Sequence, residues 1–256
     1  MSAIIKVMSF NMRMDTPYDG ENAFPYRKAR ILDFLRQENA DIIGFQEITD
    51  SMRACLVEGL ADYYVVGVGR EATYSGECSL IAFKKDSMAL ISCDTVMLSS
   101  TPTVAGSRFN GTDQSVCPRC YTKAYLKHKD IAEPFYIYNV HTDHRGQTAR
   151  ILSVAQILTD ISSHDKKFFL TGDFNALPDT TEIKMITASA RGIKDATASL
   201  DGTFHDYGRR TVTEKIDYVF TDSAIRILES VRVKDEPGEN ERYLSDHNPV
   251  YITAEL

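Results

Sequence analysis

Short apolar runs recur along the whole chain. They predict strands at residues 4–10, 42–45, 63–68, 79–83, 89–97, 122–126, 135–140, 168–170, 216–220, 225–233 and 250–254. The runs are rich in Val, Ile, Phe and Tyr and end at Gly, Asp, Asn or Pro, the residues that fit a pleated surface and its turns. Ile225, Ile227, Val231 and Val233 share one parity, which predicts a half-buried strand. Helical spacing is rarer. Residues 26–37 carry Ile31, Phe34 and Leu35 at that spacing, and residues 147–162 place Ile151, Val154, Ala155, Leu158 and Ile161 on one face. Residues 49–59 and 181–190 are shorter helical candidates. Many strands with interspersed helices define an α/β protein, and two sheets packed face to face with helices outside would use this inventory.

Composition refines that picture. The chain has 256 residues, 43% hydrophobic and 25% charged, as expected of a globular protein with a core that needs no staples. No linker, repeat or low-complexity stretch divides it, so residues 1–256 read as a single domain. The charged, turn-rich run at residues 234–242 reads as a surface loop. No apolar run approaches the roughly 18–20 residues of a membrane span. The first ten residues lack a basic segment and a small-residue cleavage site, so the expected location is cytoplasmic. The five cysteines suggest no disulfide framework. Cys117 and Cys120 form a CxxC without a second metal-binding pair, and read as buried or loop thiols. A net charge of −7 disfavours binding of long nucleic acids and suits a site that gathers carboxylates around a cation.

The chemistry collects where strands end. Asn11 closes the first strand and Glu47 follows the 42–45 run. His141 closes the 135–140 run, Asp173 and Asn175 follow 168–170, and Asp246 and His247 precede the last strand. A hard cation such as Mg²⁺ takes one or two protein carboxylates and leaves positions for water and phosphate oxygens. Glu47, Asp173, Asn175 and Asp246 could supply oxygens, while His141 and His247 could exchange protons near neutral pH. Asn11 could hold a phosphoryl oxygen. Together these parts describe metal-assisted attack of water on phosphorus. Singly, each has an ordinary alternative as a solvated carboxylate, a turn residue or a hydrogen-bonded histidine.

The strings Ser9-Phe10-Asn11, Ile42-Ile43-Gly44-Phe45-Gln46-Glu47, Gly76-Glu77, Val140-His141, Gly172-Asp173-Phe174-Asn175, Ile216-Asp217-Tyr218-Val219-Phe220 and Ser245-Asp246-His247 occur in this order. In them the chain resembles the endonuclease/exonuclease/phosphatase superfamily. Its members include DNase I-like nucleases, sphingomyelinases, inositol-polyphosphate phosphatases and deadenylases. The resemblance implies a four-layer sandwich of two mixed β-sheets flanked by helices, and Mg²⁺ as cofactor, with Mn²⁺ as an alternative. It implies Glu47, Asp246 and Asn11 around the metal, and His141, Asp173, Asn175, Asp217 and His247 as the catalytic set. Glu77 looks like the carboxylate partner of His141. The stretch His141-Thr142-Asp143-His144-Arg145-Gly146 followed by Ala149-Arg150 resembles a bacterial subgroup with the pattern H-x-D-H-x-G. Arg119, Arg150 and His144 are accordingly expected beside the substrate, with Asp143 and Arg145 facing it too. That subgroup usually carries tryptophans; this chain has none, and Phe109-Asn110 stands where one is expected.

The expected activity is hydrolysis of a phosphomonoester or phosphodiester in a small phosphorylated molecule. A nuclease acting on short or single-stranded nucleic acid is the alternative. A non-catalytic phosphate-binding module would have lost one of the metal or proton-transfer residues, yet all are present. A sphingomyelinase-like lipid hydrolase would carry an apolar hairpin, but residues 111–121 are polar, and no membrane partner is expected.

Overall fold

The computed structural model describes residues 2–256. In chain order the strands are β1 (Ile4–Asn11), β2 (Ile42–Ile48), β3 (Tyr63–Val66), β4 (Cys78–Lys84), β5 (Met88–Met97), β6 (Cys120–His128), β7 (Phe135–His141), β8 (Phe168–Asp173), β9 (Ile193–Asp195), β10 (Asp217–Asp222), β11 (Arg226–Arg232) and β12 (Val250–Glu255). The helices are α1 (Phe24–Glu38), α2 (Asp50–Gly59), α3 (Gln147–Ser162) and α4 (Thr181–Thr187). The strands form two six-stranded sheets, ordered β11-β12-β1-β2-β4-β3 and β5-β6-β7-β8-β10-β9. Each is mixed, with one parallel pair: β1 with β2 and β7 with β8. Parallel neighbours need a crossover, and α1 and α3 supply it on the outer faces.

Three apolar layers hold the sandwich together. Val7, Ile42, Phe83, Ile137, Phe169 and Ile252 fill the space between the sheets. Phe10, Phe45, Ile31, Leu35 and Leu56 bury α1 and α2 against the first sheet. Tyr138, Leu170, Val154, Ile157 and Ile161 bury α3 against the second. Strands covered on both faces, such as β8 and β10, are buried at every position.

One polar knot crosses the dry interior below the site. Gln46 Nε2 donates to Asn139 Oδ1 at 2.6 Å, and Asn139 Nδ2 donates to the carbonyls of Phe45 at 2.8 Å and Leu80 at 2.9 Å. The sheets approach so closely here that a Cβ at Gly44 would lie 2.2 Å from Thr171 Oγ1. A buried polar group is tolerated when hydrogen-bonded, and this knot fixes the spacing of the two sheets beneath the site.

Two departures from the sequence pattern have local causes. The three-residue β9 is too short to show any period. In β11 a bulge falls between Ile227 and Glu229 opposite β12. The extra residue reverses the alternation, so Ser230, not Val231, pairs with the inward Ile252, and its hydroxyl donates to the Ala196 carbonyl on the second sheet. Val231 therefore faces the opposite side from Ile227. The run at 234–242 is a loop, but not a free one: Arg30 reaches the buried Asp235 at 2.7 Å. Among the described residues, no helix is long and apolar enough to cross a membrane.

Candidate active site

The carboxyl ends of both parallel pairs point to the same end of the sandwich, the usual place for ligands on open α/β sheets. Asn11 ends β1, Glu47 lies near the end of β2, His141 ends β7 and Asp173 ends β8. Register does the rest. Asp173 is paired with His141 on one side and with Asp217 on the other. The chain entering β12, antiparallel to β1, carries Asp246 and His247 into the same space. All line one cleft of about 560 Å³ except Asn11 and Asp217, which lie behind it.

Glu47 is aimed by its backbone. It sits at a bulge in β2 with φ of +62°, and the neighbouring Arg13 has φ of +55°. Left-handed conformations of non-glycine residues cost on the order of 1–3 kcal/mol and persist where the surroundings impose them. The Glu47 carboxylate then accepts from the Met14 backbone N–H at 3.0 Å and from Asn11 Nδ2 at 3.1 Å. Burial pushes its pKa up, but these bonds and the Arg13 guanidinium, 4.0 Å away, outweigh that and hold it ionised.

Asp173 is the converse case. Burial, followed by the nearby Asp217, lifts its carboxyl to a pKa of about 7 against opposition from His247 and the Asn175 backbone N–H. His247 also goes upward. Burial alone would lower its basicity, but Asp217 Oδ2 lies 2.8 Å from Nδ1 and raises it to about 10. Thr203 Oγ1 donates to the same carboxylate at 2.5 Å. With Nδ1 held by Asp217, Nε2 faces Asp173 Oδ2 at 3.9 Å and Asp246 Oδ1 at 4.0 Å. His141 behaves oppositely. Burial, with Arg119 and Arg70 nearby, holds it well below 6.5, so it is neutral at pH 7.

A cation has donors here. One oxygen from Glu47, one from Asp173 and a ring nitrogen of His141 lie within 4.8 Å of one another. Asp246, whose carboxyl is raised by burial and by Glu47, stands beside them. Two carboxylates held by hydrogen bonds fit a hard divalent ion. Asn11 lies between the two carboxylates. Its Oδ1 accepts from the Arg13 backbone N–H, and its Nδ2 donates to Glu47 and to Asp173 at 2.9 Å. It ties the two carboxylates together, and the backbone holds its Oδ1 in place.

Some expectations are corrected by the packing. Glu77 pairs with Arg70, not with His141, whose Nε2 lies 3.5 Å from Asp173. Asp143 is a buried structural anchor, accepting from the backbone N–H groups of Ser115, Arg145 and Gly146. His144 does line the cleft and Arg145 does not. Arg150 lies away from it, tied to the buried Glu182 at 2.7 Å and to the Asp143 carbonyl. Arg150→Ala is therefore expected to leave KM within about twofold while lowering Tm, because it strands Glu182 without its partner at a cost of about 3–5 kcal/mol; steady-state kinetics beside thermal melts check it.

Sequence reasoning missed Arg13, Arg70, Phe204 and Arg210. Arg210 stacks over Phe204 at 4.4 Å and pairs with Glu214 at 2.9 Å, and the Phe204 ring lies 4.8 Å from His247. Arg13 alone carried a cue, standing two residues after Asn11. The CxxC thiols are free, with Cys120 buried and Cys117 on the cleft wall.

Two mixed six-stranded sheets flanked by helices, with carboxylates and an aspartate-held histidine at their strand ends, make a DNase I-like fold. The sequence profile of the endonuclease/exonuclease/phosphatase family matches residues 8–247, and the chain belongs to that family, whose members are phosphoesterases. Among solved structures it is similar to an endonuclease/exonuclease/phosphatase from Bacteroides vulgatus, with 32% identity over 99% of both chains and a TM-score of 0.92. It is also similar to a mannosyl-6-phosphatase from Bacteroides thetaiotaomicron, with 25% identity over 98% of this chain and 99% of that one, and a TM-score of 0.88. The catalytic domain of human Nocturnin shares the fold at 16% identity, with a TM-score of 0.75 over 99% of this chain and 96% of that one. No curated protein sequence matches the chain.

Proposed function

We propose that the protein is a Mg²⁺- or Mn²⁺-dependent hydrolase of small phosphorylated molecules. The observation that carries this reading is geometric: Glu47, Asp173 and His141 bring ligand atoms within 4.8 Å of one another, and His247, held by Asp217 at 2.8 Å, turns Nε2 toward Asp173 at 3.9 Å. A divalent ion held by Glu47 and Asp173, with Asp246 beside it, would draw charge off a phosphoryl oxygen and lower the pKa of water. Asp173 orients the attacking water and accepts its proton. His247, kept cationic by Asp217, donates from Nε2 toward the oxygen that gains charge. Neutral His141 accepts a hydrogen bond or binds a phosphoryl oxygen, and Asn175 holds the phosphoryl group. The likeness to a mannosyl-6-phosphatase supports a sugar phosphate as the substrate class.

The test is turnover of p-nitrophenyl phosphate and a panel of sugar phosphates, with Mg²⁺, with Mn²⁺ and with chelator. Metal-dependent release of phosphate is expected. Saturating metal at 100 times its Kd should also stabilise the fold by about 2.7 kcal/mol, read as a rise in Tm. Glu47→Gln is expected to abolish that rise. A metal-induced rise unchanged in Glu47→Gln would remove Glu47 from the metal site.

A further inference from the structure

His247 is held by a carboxylate that is itself gripped through one oxygen. Asp217 Oδ2 takes two hydrogen bonds, from His247 Nδ1 at 2.8 Å and from Thr203 Oγ1 at 2.5 Å. The buried Oδ1 has no partner among the described residues. The last torsion of an aspartate is soft and roughly two-fold, so a carboxylate held at one oxygen turns easily unless its donors fix the angle. The hydroxyl of Thr203 is the second of those donors, and the ring that depends on it is the first.

The backbone places that hydroxyl. Thr203 is fully buried; its N–H donates to the Glu214 carbonyl at 2.8 Å, and its carbonyl accepts from the Asn248 N–H at 2.8 Å. Its Oγ1 accepts from the backbone N–H groups of Ile216 and Asp217, each at 3.3 Å. With its lone pairs engaged, the hydroxyl has one proton to give and two acceptors in reach: the Asp217 carboxylate at 2.5 Å and the Glu214 carbonyl at 3.3 Å. The nearer, ionised oxygen takes it, because charge-assisted hydrogen bonds are shorter and about twice as strong. The next residue, Phe204, makes backbone bridges to His247 on one side and to Glu214 on the other. The segment that walls the cleft beside His247 thus also carries the group that steadies the partner of His247.

We propose that Thr203 is a positioning residue for turnover: its hydroxyl fixes the Asp217 carboxylate, and so keeps the His247 ring in the orientation that presents Nε2 to the cleft. This rests on the hydrolase reading above and adds to it a residue that acts only through another. Thr203 does not line the cleft, and among the described residues it makes no hydrogen bond to Glu47, Asp173 or Asp246. Loss of its hydroxyl should therefore impair the use of His247 and leave the binding of metal and of the phosphoryl group as it was.

The experiment measures turnover of p-nitrophenyl phosphate by the Mg²⁺-loaded enzyme with Thr203 replaced by Val, Ala or Ser, each variant being shown to fold by its metal-free melt. Thr203→Val is expected to lower kcat by about 10–100-fold, the usual cost of removing a hydrogen bond behind a working group, with KM within about twofold and the metal-induced rise in Tm unchanged. Thr203→Ala removes the hydroxyl without setting a methyl against the carboxylate and should lose as much. Thr203→Ser keeps the hydroxyl and should recover kcat to within about threefold of the wild type. Asp217→Asn alone is expected to cost about 10³-fold, and Thr203→Val added to it should cost less than about threefold more, since residues that act as a unit are not additive. A second readout needs no turnover. The proton on His247 Nδ1, assigned by its loss in His247→Asn, should give a low-field NMR line that is sharp in the wild type and in Thr203→Ser and broadened by exchange with water in Thr203→Val. A fully additive loss in the Asp217→Asn background, equal losses in Thr203→Ser and Thr203→Val, or a line equally sharp in both would overturn the proposal. Should the ester not turn over in any sample, the hydrolase reading falls by itself, and the line still decides whether Thr203 positions the pair.

Discussion

Asp173→Asn is expected to lower kcat by about 10⁴-fold, the upper range for losing a positioned proton acceptor, while making the metal-free protein more stable at pH 8. The second half of that expectation follows from burial. The folded carboxyl keeps its proton to about pH 7, whereas the unfolded one releases it near 3.8. Between those values the folded state binds more protons than the unfolded state, so wild-type stability falls as pH rises through this window. Above it, the ionised carboxylate beside Asp217 costs the fold on the order of 1–3 kcal/mol. Asparagine keeps the shape and carries no charge. Its Tm advantage should be small at pH 4, grow toward pH 7 and then level off. Saturating Mg²⁺ should reverse the order, because the wild type then gains binding energy that the variant lacks. Melts from pH 4 to 8, with and without metal, read all of this; a variant less stable than the wild type at pH 8 without metal would show that the carboxylate is not strained.

That trade between stability and chemistry shows which parts of the site a sequence can reveal. Glu47, His141, Asp173, Asn175 and His247 were legible because each follows or precedes an apolar run, and the ends of such runs converge once the sheets pair. The β7–β8–β10 register that sets His141, Asp173 and Asp217 side by side needed only strand order. Arg70 is different, whereas Arg119 was already expected beside the substrate. Arg70 lies in the loop between β3 and β4, and no local pattern announces that this loop brings it to the cleft wall. Arg150 was misjudged for the same reason, since its partner Glu182 lies on another helix. The β11 parity failed because a bulge has no signature in hydrophobicity. The close approach at Gly44 has no signature in the sequence, because Asn139 and Thr171, which stack against it, lie on the other sheet.

Asp217→Asn should be nearly as damaging to catalysis as loss of Asp173, at about 10³-fold in kcat, and its stability signature runs the other way. In the wild type the buried His247–Asp217 pair raises the imidazole from 6.5 to about 10. Its stabilisation is therefore complete below pH 6.5 and fades as pH rises through 10. Without the aspartate charge, burial dominates and the imidazole falls below its ordinary value, since the remaining neighbours are farther off. The variant then folds with a neutral His247 that its unfolded state would protonate. The difference in Tm between wild type and variant should be largest below pH 6, where breaking a buried pair costs about 3–5 kcal/mol, and should shrink steadily toward pH 10. Activity follows the same proton. On the proposed mechanism the wild-type Nε2 meets the developing negative charge as a cation at pH 7, whereas the variant presents a neutral ring. Added imidazolium should not restore turnover, because the lost element is a proton donor held at a fixed place. A pH-independent gap in Tm would mean that Asp217 orients the ring by hydrogen bonding alone and leaves its charge unchanged.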